Sequence, residues 1–343
     1  MSNFENVFLT YADDIGTDGV GAQLHRIYGI YCLSRLLGTK YLHSPIGRCD
    51  YQGMDAFQNQ EKDPTFVDSF NRRFTLPSDR PTMPSPSEVT LPVLPNGRVE
   101  RALGLRYGGR RKQLSPIRLS KFGRIVAGLS KRNAETVVRI GSPHALMDRY
   151  ASGYEVCKSL SPFKTSMPNK VLRIALHVRR GELIFVNSER LIDNRYYVNI
   201  AHRLAAALES AQIPFELELH SELLQKESMV RPDDPAFRGR IDEVLQLRPE
   251  QDPFQDFDVF PRLTRFINEP TMTCIERLAT ADILVTSKSS FSYLAAILNV
   301  DGIVLYHPFW HYPPDSWLVT KPSGEFDVQR FMRQMQRLRK VSQ

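Results

Sequence analysis

Short apolar runs alternate along the chain with longer stretches whose apolar residues recur at helical spacing, and each pattern predicts its own element. Residues 6–12 predict a strand, residues 22–38 predict a mostly apolar helix that stops at Gly38, and residues 40–46 predict a second strand. The glycine-rich stretch DDIGTDGVG lies between the first strand and the helix. This strand–loop–helix opening is typical of an α/β layer fold.

The second half of the chain alternates strands and helices more regularly. Apolar runs predict strands at 171–178, 215–222, 264–268, 282–287 and 301–308. Helical spacing predicts helices at 195–211, 242–247, 271–281, 290–299 and 327–340. Four or five strands that alternate with helices predict a parallel, doubly wound sheet.

The chain between these two regions changes character. Six prolines within residues 77–97 exclude a helix there and indicate a loop or an extended connection. Helices are predicted within 116–132 and 142–158, and the Ser-, Pro- and Lys-rich stretch 159–170 is typical of a linker. A chain of 343 residues exceeds what one core usually serves, so we predict two α/β domains, 1–165 and 166–343.

Composition narrows the class of protein. With 42% hydrophobic and 24% charged residues, the chain matches soluble globular domains. It has no apolar run of bilayer length, and its N-terminus lacks the features of a secretory signal. The four cysteines are scattered, which argues against a zinc site or a disulfide framework and favours reduced thiols in a cytoplasmic protein: Cys32, Cys49, Cys157 and Cys274.

Positive charge is concentrated in one segment. Residues 98–139 carry twelve Lys and Arg but only two acids, so this segment is +10 and the rest of the +7 chain sums to −3. Positive charge concentrated in one segment predicts an anionic partner at one face of the protein. The partner could be an anionic or lipid-linked acceptor, or a membrane surface that the protein contacts peripherally. A solvated helical surface is the alternative. No nucleic-acid-binding motif is visible, so no nucleic-acid partner is expected.

A dense polar cluster follows the predicted strand 171–178. The sequence HVRRGE contains His177, Arg179, Arg180 and Glu182. A guanidinium is a planar fork that suits two phosphate oxygens, and alternation along a strand puts Arg179 on the face of His177 with Arg180 opposite. One arginine can therefore hold a ligand while its neighbour braces the loop. A structural salt bridge is the alternative.

Two further clusters occupy equivalent places. In TDGVGAQLH, Gly19 and Gly21 let the backbone approach an anion at the start of a helix, and Gln23 adds a polar contact. In DILVTSKSSFSYLAAIL, an apolar strand runs through Ser289 and Ser290 into an apolar helix. A tight turn and a plain helix cap are the alternatives. Together the clusters suit a nucleotide diphosphate held between two domains.

These three stretches resemble the motifs of the fucosyltransferase superfamily. HVRRGE resembles its H-x-R-R-x-D motif, ILVTSKSSFSYLAAIL resembles its S-[ST]-F-S-W-W-A-A segment, and DGVGAQLHR resembles its N-terminal G-G-L-G-N-Q. They occur in the family's order over about 290 residues. In this chain Glu182 stands in place of the family's Asp, Tyr293 and Leu294 replace the paired tryptophans, and Asp18 replaces the first glycine.

The resemblance implies a GT-B fold, with two Rossmann-like domains facing each other across a cleft. The N-terminal domain would bind the acceptor and the C-terminal domain the nucleotide sugar. It implies an inverting, metal-independent transfer of L-fucose from GDP-fucose to a glycan or glycolipid hydroxyl, with no cofactor. Arg179 would then bind the β-phosphate and Arg180 would support the donor site. His177 would lie by the guanosine, Ser289, Ser290 and Phe291 would line the diphosphate, and Gly19, Gly21 and Gln23 would form the facing loop.

The base that accepts the acceptor's proton is the least determined part of this hypothesis. Asp14 and Asp18 flank the N-terminal loop, and Glu182 follows the arginine pair directly, although it can instead lock Arg180. The aromatic segment 307–317 predicts either sugar stacking or a rigid loop that ties down the C-terminus. Two other functions stay open: transfer from another nucleotide sugar such as a UDP-sugar, and non-catalytic binding of a nucleotide or polyanion.

Overall fold

The computed structural model divides into two compact units. Unit 1 comprises residues 1–51, 67–162 and 310–314, and unit 2 comprises residues 52–66, 163–309 and 315–343. The sequence had placed the division between residues 165 and 166. The structure describes residues 4–12, 19–47, 49, 64–83, 91–104, 114–130, 135–141, 151–163, 171–181, 190–223, 254–309 and 311–341.

Unit 1 is built on a parallel sheet. Its strands are β1 (Val7–Ala12), β2 (Lys40–Tyr41), β3 (Val93–Leu94) and β4 (Thr136–Gly141), in the order β2-β1-β4-β3. Its helices are α1 (Val20–Leu37), α3 (Asn96–Leu103), α4 (Pro116–Leu129) and α5 (Ala151–Ser159). Helix α2 (Pro64–Arg73) crosses the division between the units in the sequence.

Strand β4, like helix α2 and strand β3, is an element that the sequence analysis did not predict. It pairs with β1 over six residues, from Val7 opposite Thr136 to Ala12 opposite Gly141. Val137, Val138 and Ile140 are fully buried. The strand begins at the end of the basic segment, where charged residues obscured a short apolar run.

Two other predictions for unit 1 need correction. Strand β2 covers only residues 40–41 of the predicted 40–46. Helix α3 begins at Asn96, inside the stretch 77–97 from which a helix was excluded. Pro95 occupies the position before its first turn, where a missing N–H does no harm. Helix α1 is buried along most of its length and ends where Gly38 adopts a left-handed φ of 70°, as predicted.

Unit 2 is built on a larger parallel sheet. Its strands are β5 (Leu172–His177), β6 (Phe215–Ser221), β7 (Leu263–Ile267), β8 (Ile283–Val285), β9 (Ile303–Tyr306) and β10 (Leu318–Val319). Its helices are α6 (Asn194–Ser210), α7 (Thr271–Ala279), α8 (Ser290–Leu298) and α9 (Val328–Val341), with a 3-10 helix at Gln255–Val259.

The strand order of unit 2 identifies its topology. The order is β10-β9-β8-β5-β6-β7, and every pairing is parallel. If the six strands are numbered 1 to 6 in chain order from β5, they have the 3-2-1-4-5-6 order of Rossmann-type sheets. In this arrangement the strand order reverses between the first strand, β5, and the fourth, β8. The predicted α/β class, with a parallel sheet in each of two units, is confirmed.

The two faces of the unit 2 sheet differ in chemistry. One face packs Ile174, Leu176, Leu217 and Leu219 against α6 in the main apolar core. On the other face, register pairs His177 with His220 and Ala175 with Glu218. Because side chains alternate along a strand, these polar groups share a face with Arg173. The sheet therefore has one apolar and one partly polar buried face.

No helix in the described ranges combines the length and apolar character that crossing a bilayer requires.

Candidate functional site

Two of the three predicted motifs lie next to each other at the point where the strand order of the unit 2 sheet reverses. Strands β5 and β8 are neighbours there, paired from Ile174 opposite Ile283 to Leu176 opposite Val285. The motif with His177 and Arg179 follows β5, and the motif with Ser289 follows β8. In open parallel sheets, ligands bind outside the carboxyl ends of the strands at this reversal. Topology alone thus gives both motifs the position of a ligand site.

His177 ends strand β5 and links the two motifs. Its ring lies 5.8 Å from the ring of Phe291 in the first turn of α8, measured between centroids. Burial lowers the pKa of His177 to about 3, and the neighbouring charges of Arg179 and His220 act in the same direction. The imidazole is therefore neutral at pH 7, so it can offer a hydrogen bond or a packing surface but not a positive charge.

Arg179 forms an ion pair that the sequence did not identify. Its Nη1 lies 2.8 Å from Oε2 of Glu222, the residue directly after β6. The side chain of Arg179 is 9% exposed and that of Glu222 is 21% exposed. The backbone N–H of Gly181 also donates to the Glu222 carbonyl, at 3.0 Å. A guanidinium carries five N–H donors in a planar fork, a geometry that suits an anion.

Arg180 points to the other side of the chain, as alternation predicted. It donates from Nη2 to Oδ1 of Asn194, the first residue of α6, and from Nη1 to the carbonyl of Arg179 at 3.0 Å. Asn194 donates in turn to Asp256 at 3.0 Å. Burial lowers the pKa of Arg180, but guanidinium remains charged at neutral pH. Arg180 therefore braces the loop after β5 against α6.

The serine motif forms the start of helix α8. Ser289 takes the N-cap position, and its side chain makes no capping hydrogen bond. Its backbone N–H donates to the Ser287 carbonyl at 2.8 Å, while Ser292 Oγ accepts from the Ser287 N–H at 3.1 Å. Ser290 and Phe291 follow in the first turn and are partly exposed. The N–H groups of a first helical turn have no partner within the helix and suit an anion.

Two cations that sequence reasoning did not assign to the site lie beside this helix start. Arg190 donates from Nη2 to the carbonyl of Lys288 at 3.2 Å, and its guanidinium lies 5.3 Å from the ring centroid of Phe309. The contact spans 98 residues of sequence, so no local pattern reveals it. The second cation is Lys288 itself, and this lysine within TSKSS was the only sign in the sequence of positive charge at the helix start.

The third motif belongs to unit 1. Gly19 is the N-cap of α1, and its carbonyl accepts from the N–H of Ala22 at 3.1 Å and of Gln23 at 3.2 Å. Gly21 and the side chain of Gln23 are buried within the first turn of the helix. The three proposed catalytic carboxylates, Asp14, Asp18 and Glu182, lie outside the described residues.

In the aromatic segment 307–317, His311 and Trp317 are buried. Trp317 is 4% exposed, with its ring centroid 5.4 Å from Tyr293 and 5.7 Å from Tyr306. In unit 1, the ring of His311 lies 4.5 Å from that of His25. These contacts favour the rigid-loop interpretation over sugar stacking for Trp317 and His311.

No family model and no curated protein matches the chain. Solved structures give weak likenesses. The E. coli heptosyltransferase WaaC with ADP-2-deoxy-2-fluoro heptose is 11% identical over 96% of this chain and 99% of its own, at a TM-score of 0.35. The fucosyltransferase NodZ from Bradyrhizobium is 14% identical over 86% and 93%, at 0.33. POFUT1 in complex with GDP is 9% identical over 89% and 99%, at 0.35.

Proposed function

We propose that the protein is an inverting, metal-independent glycosyltransferase of GT-B architecture. In this proposal it transfers L-fucose from GDP-fucose to a hydroxyl group of a glycan or glycolipid acceptor. Unit 2 binds the nucleotide sugar, and unit 1 binds the acceptor.

One observation carries the proposal. The HVRRG and TSKSSF motifs, interpreted from the sequence as diphosphate-binding, lie at the carboxyl ends of the adjacent strands β5 and β8, where the strand order of a Rossmann-type sheet reverses. The contact between His177 and Phe291 brings them side by side. Arg179, Arg190 and Lys288 supply positive charge at this edge, and the first turn of α8 supplies N–H groups. This combination suits a diphosphate.

The charge on the departing nucleotide defines the role of these groups. As the bond between the sugar carbon and the phosphate oxygen breaks, negative charge develops on the β-phosphate, and the sugar carbon becomes oxocarbenium-like. Arg179 stabilises the leaving diphosphate together with the α8 N–H groups. Glu222 holds the guanidinium of Arg179 in place before the donor arrives. His177, Ser289, Ser290 and Phe291 contact the nucleotide, and Arg180 keeps the loop rigid.

The acceptor hydroxyl attacks the sugar carbon from the face opposite the leaving group. Its proton passes to a carboxylate, for which we propose Asp14 or Asp18, with Glu182 as the third candidate. Gly19, at the N-cap of α1, and Gly21 and Gln23, in its first turn, belong to the unit proposed to bind the acceptor. The basic segment 98–139 receives the anionic or lipid-linked acceptor through peripheral membrane contact, and the protein acts in the cytoplasm.

A thermal-shift screen against GDP-fucose, UDP-, CMP- and ADP-sugars, without added divalent cation, tests the donor. We expect GDP-fucose to raise the unfolding temperature most. A larger shift with a UDP-sugar would support a transferase of the same fold with another donor. Salt-sensitive heparin binding without any donor shift would support the polyanion-binding module instead.

Donor turnover tests the mechanism. Arg179→Ala should lower the rate of GDP-fucose transfer or hydrolysis by about 10²–10³-fold, the usual cost of removing one such donor. The matched control is Arg333→Ala, which removes an exposed arginine from α9. If Arg179→Ala retains the rate of the control, the proposed role of Arg179 is wrong.

A further inference from the structure

A buried polar ladder crosses the face of the unit 2 sheet that lies opposite the apolar core. Arg173 binds Glu218 through two parallel contacts, Nε to Oε1 at 3.1 Å and Nη2 to Oε2 at 3.0 Å. Glu218 Oε2 also lies 3.1 Å from Nε2 of His220. Phe266, on the adjacent strand, stacks on the His220 ring at 5.0 Å between centroids, and His220 is fully buried. These contacts fix both the position and the orientation of the imidazole.

The hydrogen bonds also fix which nitrogen of His220 carries the proton. A carboxylate held by a two-point arginine contact is ionised and only accepts hydrogen bonds. Nε2 of His220 must therefore donate to Glu218. In a neutral imidazole the other nitrogen, Nδ1, then carries a lone pair. A carboxylate that orients a histidine through its far nitrogen is the usual support of a metal-binding histidine.

Nδ1 of His220 faces two further ligand atoms. Oε2 of Glu269 lies 3.7 Å from it, and one ligand atom from each of His220, Glu269 and Cys274 lies within 4.8 Å of the other two. Glu269 uses its other oxygen to accept from Arg277 Nε at 2.7 Å. Within the described part of the chain, neither Nδ1 nor Oε2 has a hydrogen-bond partner. A lone pair facing a carboxylate oxygen is unfavourable unless a metal ion or a proton lies between them.

We infer that His220, Glu269 and Cys274 bind a transition-metal ion of the zinc class through Nδ1, Oε2 and Sγ. Nitrogen, oxygen and sulfur together match Zn²⁺, whose tetrahedral sites place ligand atoms roughly 3.3–3.7 Å apart. The three atoms reach this spacing through small side-chain movements, and a fourth position remains for water. Binding exchanges the thiol proton of Cys274 for the metal ion and releases that proton to solvent.

The charges around the cluster admit such an ion. Glu218, Glu222 and Glu269 pair with Arg173, Arg179 and Arg277, so these charged side chains balance one another. The Cys274 thiolate would form only when the metal ion displaces the thiol proton. The ion would join the carboxyl ends of β6 and β7 to helix α7. None of its three ligands is a residue proposed to bind the diphosphate, although Arg179 and Glu222 lie near the cluster. This inference therefore does not rest on the proposed transfer, and transfer without added divalent cation is compatible with it.

Metal analysis of the full-length protein tests the site. After removal of bound metal by a chelator, the protein should take up one Zn²⁺ per chain with a dissociation constant below about 1 µM. Cys274→Ser and Glu269→Gln, which preserve side-chain size, should each weaken uptake at least about 100-fold. The controls are Cys32→Ala, in unit 1, and His202→Gln, an exposed histidine of α6 in unit 2. Both controls should bind as the parent does.

Cobalt provides a readout that needs no variant. The Co²⁺-loaded parent should show a thiolate-to-metal charge-transfer band and tetrahedral d–d bands, and Cys274→Ser should abolish the charge-transfer band. The inference is overturned if the parent shows no such band. It is also overturned if nitrogen-15 NMR of metal-exposed protein shows His220 protonated on both ring nitrogens, since an imidazolium would then bridge the two glutamates.

Discussion

The Arg179 guanidinium and the Glu222 carboxylate form an ion pair, with Nη1 2.8 Å from Oε2, between the loop after β5 and the end of β6. Both side chains are largely buried, so the pair sits where screening by solvent is reduced. A diphosphate that binds Arg179 contacts a guanidinium that Glu222 already orients and to which Glu222 is already ion-paired. Glu222 therefore both orients the arginine and repels an incoming anion.

Neutralising Glu222 should tighten diphosphate binding. In Glu222→Gln the amide oxygen can still accept from Arg179, but the negative charge that repels phosphate is gone. We expect the dissociation constant for GDP, measured by calorimetry, to fall about fivefold, which corresponds to roughly 1 kcal/mol for a partly buried charge.

Glu216→Gln is the control for that measurement, because Glu216 is an exposed carboxylate on the same strand. Its affinity for GDP should match that of the parent. Weaker GDP binding in Glu222→Gln than in this control would contradict the idea that Glu222 competes with phosphate, and would show that orientation of Arg179 dominates.

Replacing Arg180 should affect stability more than donor binding. Arg180→Lys keeps the charge but loses the planar contacts to Asn194 and to the Arg179 carbonyl. We expect a loss of about 1–3 kcal/mol in the free energy of unfolding, because a buried acceptor is left unpaired. Urea unfolding measures this loss, with the exposed Arg195→Lys as control. A fall in GDP affinity without any loss of stability would assign Arg180 to the ligand instead.

His307 should make the stability of unit 2 depend on pH. Burial lowers its pKa below the ordinary 6.5, so it is neutral in the folded state, and it lies 4.9 Å from Tyr196 between ring centroids. Below about pH 6.5 the unfolded chain takes up this proton before the folded protein does. The histidine's contribution is therefore intact above pH 6.5 and is lost as the pH falls towards the lowered pKa.

The urea midpoint at pH 7.5 and at pH 5.5 measures this effect. His307→Gln should reduce the difference between the two midpoints, whereas the exposed His202→Gln should leave it unchanged. An identical pH dependence in His307→Gln and the parent would show that other groups are responsible.

Removing the Trp317 ring distinguishes the two interpretations of the aromatic segment. Because Trp317 packs against Tyr293 and Tyr306, Trp317→Ala should destabilise the protein by about 3–5 kcal/mol. Trp317→Phe should restore most of this loss. Both results would be read from thermal unfolding. If stability were unchanged and only acceptor KM rose, Trp317 would be a sugar-stacking residue.

Local patterns in the sequence predicted most of unit 2. Strand β5, helix α6, strand β7 and helix α8 were each predicted to within a few residues of where the structure has them. Apolar spacing is a local property, since alternation or helical recurrence needs only neighbouring residues to be visible. Strand β4 was missed because charges on both sides of a short apolar run removed the same local signal.

The sequence by itself determined the α/β class and the motif at His177–Arg180, together with the opposite directions of its two arginines, because side chains must alternate along a strand. Only the tertiary structure decided which residues meet. Glu222 lies 43 residues from Arg179 and Lys288 lies 98 residues from Arg190, and strand order brings each pair into contact. It likewise assembled His220, Glu269 and Cys274, which share no sequence motif. Contacts of this kind depend on which strands pair in the sheet. Strand pairing is determined by burial of the whole core rather than by the sequence of any one segment.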